Sequence, residues 1–480
     1  MAVISLSRML SHWADIQAET IAITHESENI TWAALERETN QLARAYSEKG
    51  VKKNDFVTIA LPNGIEFFKA CFATWKLGAT PQPVSAKLPL FELEQIIELG
   101  KPSLVIGVDV DSALPVNYRD HLVLSDSPLS ELTSISFKAM TSGGSTGRPK
   151  LIVSTTPAAW DTSLEYLQIK TQGAMLIPGP LYHNGPFSWA MIALFRGNHV
   201  CVTTRFDAEE TLSLIQEHQI DIVYMVPTMM QRIWKLPEDA RLKYDLSSLD
   251  TLWHLAAPCP DWLKQAYIDW LGPEVIWELY GGTEGQGSTI INGTEWLLHR
   301  GSVGKPGIAC EMKVISEDGK VLPPLEIGEV FIRPLTGQGS TYHYIGAEAK
   351  SIEGGWESLG DMGYMDKDGY LYLADRQTDM ILSGGANIYP AEVEAAIDAF
   401  QGVRSSAVIG LPDEDLGNVI HAIVDSPNVL SEEELLRHLA ERLTRYKIPR
   451  TIEWVSEPLR DDAGKLRRKQ LRAERLSSQG

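Results

Sequence analysis

Residues 141–150 read TSGGSTGRPK. Glycines, hydroxyl side chains, a proline and two cations crowd into this one stretch. With no bulky side chain in the way, such a loop can turn several backbone N–H groups and hydroxyl donors toward an anion. The nucleotide-binding pattern G-x-x-x-x-G-K-[ST] does not fit it, because Lys150 follows Pro149 and precedes Leu151. Composition alone leaves two readings open, a phosphate cradle or an ordinary Gly/Ser turn between strands. The rest of the chain has to decide.

At 480 residues the chain exceeds one core, since domains run to roughly 100–200 residues each. A formal charge of −20 argues against a protein that grips nucleic acid or an anionic membrane, which would need an excess of cations. Cations are concentrated in GKLRRKQLRAER (464–475), which by itself reads as an exposed, solvated helix face. Cys71, Cys201, Cys259 and Cys310 lie far apart with no C-x-x-C pair, so neither a zinc site nor a disulfide framework is expected. The N-terminal stretch MAVISLSRMLSHWADIQAE is amphipathic and carries acids, unlike a signal or transit sequence. With no apolar run near the ~18 residues of a membrane span, the expectation is a cytoplasmic protein with no membrane insertion and no nucleic-acid partner.

Short β-rich runs, FVTIAL (56–61), SLVIGV (103–108), IDIVYMV (220–226) and VIHAIV (419–424), alternate with helical patterns such as ALERETNQLARAYSEKG and DAEETLSLIQEHQ. That alternation predicts an α/β fold with helices packed on sheets. Near DRQTD (375–379) the pattern changes, and the last 100 or so residues read as a separate unit. Within it, SEEELLRHLAERL has Ser431 and Glu434 at capping-box spacing ahead of Leu435, Leu436, Leu439 and Leu443 on one stripe.

Three further stretches bear on the opening loop. In ELYGGTEGQG (278–287), Tyr280 offers a face to a planar base, Thr283 a hydroxyl to a phosphate, and Glu284 a carboxylate to Mg²⁺. ESLGDMGYMDKDGYLYLADRQTDMILSGGANIYPAEVE (357–394) carries Asp361 and Arg376, suited to a diol, followed by a glycine turn and a Pro-initiated helix. YKIPR leads into DDAGKLRRKQLR, where Lys465 follows a glycine that leaves its side chain free to reach outward.

In this order, together with GVKKNDFVTIALPNGIEFFKACFATWKLGATPQPV, VPTMM, DLSSLDTLWHLAAP and GSVGKPG, these elements resemble the superfamily of adenylate-forming enzymes: acyl-CoA ligases, luciferases and peptide-synthetase adenylation domains. The resemblance covers nearly the whole chain. It implies a large N-terminal adenylation core of packed α/β subdomains, 1–377, and a small mobile α+β lid, 378–480. It implies ATP, Mg²⁺ and coenzyme A as ligands, and a small-molecule carboxylic acid as substrate. Thr141, Ser142, Gly143, Gly144, Ser145, Thr146, Gly147 and Lys150 would form the loop on the β- and γ-phosphates. Ala256, Ala257 and Pro258 would line the adenine, with Tyr280 stacked on it and Gly281 and Gly282 beside it. Thr283 would hold the α-phosphate, Glu284 the magnesium, and Asp361 and Arg376 the ribose hydroxyls. Lys465 would be the lid lysine that bridges the attacking carboxylate and the α-phosphate. His183, in PLYHNGPF, would stand at the mouth of the acyl pocket among the catalytic set, although packing is the plainer role for that ring.

The implied reaction is ATP-dependent activation of a carboxylic acid as acyl-AMP, with pyrophosphate leaving, and transfer to the CoA thiol. The sequence departs from the family pattern at Gly143, Leu151, Leu359 and the hinge residue Thr378. An enzyme of one half-reaction, a carrier-protein loading enzyme and a non-catalytic nucleotide-binding homologue therefore stay open, as does a homodimer. HNGPFSWAMIALF has no acid to pair an amino-acid ammonium, so an α-amino acid is not expected. Phe187, Trp189, Met191, Phe195 and Trp253 suit a bulky hydrophobic acid. SGGSTGRPK and LYHNGPF look similar to variants in bile-acid or steroid-acid CoA ligases, with aryl and fatty acids as alternatives.

Overall fold

Ile222–Met225 is buried at all four positions and Thr251–Leu255 at all five, as expected of parallel strands covered on both faces. They lie in a run of parallel neighbours ordered Ile21–His25, His199–Val202, Ala174–Ile177, Ile222–Met225, Thr251–Leu255 and Ile276–Gly281. Beyond Ile276–Gly281 the sheet turns antiparallel through Ser288–Asn292, Ser302–Pro306, Leu371–Arg376, Trp356–Met365, Gly328–Pro334 and Cys310–Ile315. The computed structural model describes residues 3–477 except 109–112, 144–148, 377–378, 384–385, 414 and 462–463, and the side chains of residues 142–143 and 375–376 also lie outside that set.

Two smaller sheets flank the large one. Thr80–Pro83, Phe56–Ile59 and Leu104–Ile106 are parallel, whereas Ala139–Gly143, Pro149–Ser154 and Tyr342–Ile345 are antiparallel. The amphipathic N-terminus forms the helix Leu6–Gln17, which buries Met9, Leu10 and Trp13. The Trp13 indole donates to the Phe195 carbonyl at 3.1 Å, tying this helix to the end of the helix Asn184–Phe195.

After the large sheet, a separate apolar cluster gathers Ile381, Ile388, Val393, Ile397, Leu435 and Leu439. It lies against Ser405–Asp413, Gly417–Asp425 and Thr451–Val455, with the helices Pro390–Asp398 and Glu432–Ala440. The protein is thus a mixed α/β fold with a large N-terminal part and a smaller C-terminal one. Ser431 caps the second helix by accepting the Glu434 N–H at 3.3 Å. The expected leucine stripe is narrower than its spacing suggested. Leu435 and Leu439 are fully buried, Leu436 sits at the edge of the face, and Leu443 reaches the core from beyond the helix end.

The basic C-terminal stretch is not the solvated face that its composition suggested. On the helix Arg468–Ser477, Arg468 donates to Glu394 and Asp379 (both 2.7 Å), Arg472 to the Gly410 carbonyl and Arg475 to both oxygens of Glu453. No residue of this helix is fully buried, and the guanidinium forks dock it together with Leu471, which packs partly buried on the Ala407, Ile409, Leu411 and Ile423 cluster. Among the described residues, no helix is long and apolar enough to cross a membrane.

Candidate active site

From Ala174–Ile177 the chain passes to His199–Val202 on one side and then to Ile222–Met225 on the other. Strand order reverses there, and open α/β sheets bind ligands at the carboxyl ends of strands beside such a reversal. Those ends lead into Gly179–His183, Val226–Thr228, Ala256–Pro258 and Gly282–Glu284, all on one cleft of about 4400 Å³ that also reaches Lys150, Asp361 and Lys465. A single small-ligand site occupies roughly 300–1,000 Å³, so this cleft has room for several molecules at once.

Glu284 is buried at its centre. Its Oε1 accepts the Tyr344 hydroxyl at 2.5 Å and faces the Lys150 ammonium at 3.5 Å, and that ammonium also lies 3.9 Å from the centre of the Tyr344 ring. Burial and the Glu284 charge push the Tyr344 phenol well up, so it remains a hydrogen-bond donor. A single carboxylate beside a cation and hydroxyls fits Mg²⁺, which commonly takes one or two protein carboxylates and completes its shell with phosphates and water. Thr141 lines the same cleft, and its Oγ1 is buried with no partner among the described residues.

On the nucleotide side, the Tyr280 hydroxyl donates to Asp361 Oδ2 at 2.8 Å. Asp361 pairs with Arg376 across adjacent strands, which sets the two expected diol-binding residues side by side along the backbone. Ala256 has φ +73°, a conformation costly for a residue with a Cβ, at the turn that carries Ala257 and Pro258 into the cleft. A Cβ at Gly282 would stand 2.5 Å from the Leu359 Cδ1 and 2.7 Å from Glu284 Oε2, so a side chain there would have to displace both.

On the acyl side, His183 caps the helix Asn184–Phe195 and packs against Tyr182 at 4.3 Å between ring centroids. Burial, reinforced by the nearby Lys465 charge, pushes its imidazole down to about 3, so the ring is neutral at physiological pH. Its Nε2 is buried without a partner among the described residues. Lys465 is presented by a tight turn in which its N–H donates to Asp461 Oδ1 at 2.9 Å and its carbonyl accepts the Asp461 N–H at 3.0 Å. Gly464, at φ +74°, lies so close to the Pro227–Trp234 helix that a Cβ would stand 2.9 Å from Thr228 Oγ1. Gly185 is tighter still, with a Cβ only 2.1 Å from the Tyr224 hydroxyl. Gly185→Ala is expected to cost about 3 kcal/mol, an overpacking penalty read as a lower urea midpoint. Tyr224→Phe in the same background should recover part of the loss; full additivity would show that the clash is not the cause.

The structure thus brings Thr141, Lys150, His183, Ala256, Ala257, Pro258, Tyr280, Gly281, Gly282, Thr283, Glu284, Asp361 and Lys465 to one cleft. Ser142 and Gly143 continue the strand Ala139–Gly143, while Gly144, Ser145, Thr146, Gly147 and the hinge residue Thr378 lie outside the described residues. The five apolar residues expected to face the acid all belong to the core cluster, and of them Trp189 and Phe195 also line the cleft. Tyr344 escaped the sequence reading because nothing in TYHYIG marks it. Lys138, a lysine inside the apolar run FKAM, was the one visible signal passed over.

Comparison with known proteins agrees with this geometry. Residues 10–342 match the AMP-binding enzyme family, and residues 392–465 match the AMP-binding enzyme C-terminal domain. A 2-succinylbenzoate–CoA ligase of Bacillus subtilis is 30% identical over 478 residues, covering 96% of each chain. The long-chain-fatty-acid–CoA ligase FadD13 of Mycobacterium tuberculosis is 29% identical over 496 residues, covering 97% of each. The structure of Bacillus subtilis o-succinylbenzoate coenzyme A synthetase with ATP and a magnesium ion superposes with a TM-score of 0.82 at 27% identity, over 98% of this chain and 100% of that one. With the family match spanning most of its length and the matched motifs meeting in one cleft, this chain belongs to the AMP-binding enzyme family.

Proposed function

We propose that the protein is an ATP-dependent acyl-CoA ligase, which activates a carboxylic acid as its acyl-adenylate and passes the acyl group to the thiol of coenzyme A. The observation that carries this reading is that Lys465, from the C-terminal part, lines the same cleft as His183 and Glu284, with its charge bearing on His183. A cation from the C-terminal part stands where an acid and an α-phosphate would come together, and such a charge acts on the transition state more than on the bound substrates. A pure nucleotide binder has no use for it.

Each group has a task in this reading. Tyr280 and Ala256–Pro258 bind the base, Asp361 and Arg376 hold the ribose, and Lys150 and Thr141 with the 142–147 loop hold the outgoing phosphates. Thr283 positions the α-phosphate. Neutral His183 closes the acyl end and keeps water from the mixed anhydride. Magnesium, held by Glu284 when bound, would neutralise phosphate charge. The C-terminal unit, starting near residue 378, would then rotate and withdraw Lys465 so that the thiol can enter. Coenzyme A is favoured over a carrier protein because the full-length relatives carry CoA-ligase names. A cytoplasmic location suits these ligands and the four free cysteines.

The test is carboxylate-dependent release of pyrophosphate from ATP, followed by thioester formation when CoA is added. Acyl-AMP accumulating without CoA and consumed on its addition is the expected result. Pyrophosphate release that no acid stimulates would overturn the proposal, and acyl-AMP that CoA cannot discharge would point to the one-half-reaction enzyme.

A further inference from the structure

Lys138 stands at the acyl end of the cleft, just before the strand Ala139–Gly143. Its ammonium donates to Asn184 Oδ1 and, at 2.7 Å, to Ser188 Oγ. An ammonium has three donors, and both of these acceptors are neutral. Among the described residues no carboxylate comes within ion-pair distance, and burial pushes this lysine down to about 7. The fully buried lysines behave otherwise: Lys69 meets Glu38 at 2.5 Å, Lys76 meets Glu36 at 2.6 Å, and Lys264 meets Glu278 at 2.6 Å. Lys150, which also lines the cleft, faces Glu284 at 3.5 Å, whereas Lys138 is held by neutral acceptors.

We propose that Lys138, with Asn184 and Ser188, forms a second anion subsite, so that the acid activated here carries another carboxylate remote from the one that is adenylated. Asn184 and Ser188 lie one turn apart on the helix that His183 caps, so Lys465 and Lys138 both approach the same first turn. One lysine serves the reacting carboxylate and the other the far one. Trp160, Trp189 and Phe195 add aromatic walls to the same cleft, which suits a compact or aryl body over a long aliphatic tail. An acid without the second anion leaves a buried cation uncompensated, whereas one that has it completes the pair.

The inference rests on the acyl-CoA ligase reading, and paired acids separate the two. Pyrophosphate release would be measured for 2-succinylbenzoate against 4-oxo-4-phenylbutanoate, homophthalate against phenylacetate, and suberate against octanoate. The wild-type enzyme is expected to prefer the dicarboxylic member of at least one pair by about 100-fold in kcat/KM, carried mainly by KM, the scale set by a buried charge pair. In Lys138→Met that ratio should collapse toward one, and Lys138→Arg should keep part of it. Preference for the monocarboxylic member in every pair overturns the subsite. So does an equal loss of both members in Lys138→Met, which would assign Lys138 to the reacting carboxylate. Should Lys138→Met fail to fold, the wild-type ratios decide alone. If no acid releases pyrophosphate, the ligase reading falls. The subsite is then judged by calorimetric binding of the same pairs to the wild-type protein, where equal affinities reject it and tighter dicarboxylate binding supports it.

Discussion

Lys465→Ala is expected to slow acyl-adenylate formation by about 10²–10³-fold while leaving the conversion of supplied acyl-AMP to thioester nearly untouched, the scale of losing one preorganised charge from a transition state. The asymmetry follows from where the residue sits. Its turn is held by Asp461, Gly464 packs on Thr228, and its charge already bears on His183, so it belongs to the arrangement in which acid and nucleotide meet. Truncation removes positive charge without disturbing a core, because the side chain lies in the cleft. Single-turnover measurement of pyrophosphate release and of thioester formation reads the two steps separately. Equal loss in both would mean that the lysine shapes the site rather than stabilising one transition state.

Glu284→Gln should lower adenylation by about 100-fold and raise the Mg²⁺ concentration needed for half-maximal rate, the scale on which one polarising contact on a reacting phosphate is felt. Glutamine keeps an acceptor for Tyr344 at nearly the same volume but gives up the charge that faces Lys150. Fold and packing should therefore survive, and the defect should be partly relieved at high Mg²⁺. A variant with reduced rate and an unchanged Mg²⁺ requirement would remove Glu284 from the metal and leave it as a partner for Lys150 and Tyr344.

The stretches from which the family was recognised are those where the backbone itself is constrained. Gly185 leaves no room for a Cβ beside Tyr224, and Gly464 takes a positive φ, so residue type at these positions reports local geometry directly. The alternation of apolar strands with helices was equally legible, because full burial of strands such as Thr251–Leu255 demands continuous apolar runs. Side-chain partners were not legible. Tyr344 lies 60 residues from the Glu284 it bonds, and its strand is held in place by pairing with the distant Pro149–Ser154. The arginines of the last helix looked like a solvated face because their acids, Asp379, Glu394 and Glu453, lie far away in sequence.

The amino-acid order alone was enough to establish the α/β class, the family and a set of residues that meet in the cleft, because short-range sterics and hydrophobic periodicity are written locally. Which face of the Asn184–Phe195 helix meets the acid, which cations are compensated and how near Lys465 comes to His183 were settled only by the folded chain. Those properties depend on distances between segments far apart in sequence, and a buried charge takes its meaning from whatever the fold sets beside it.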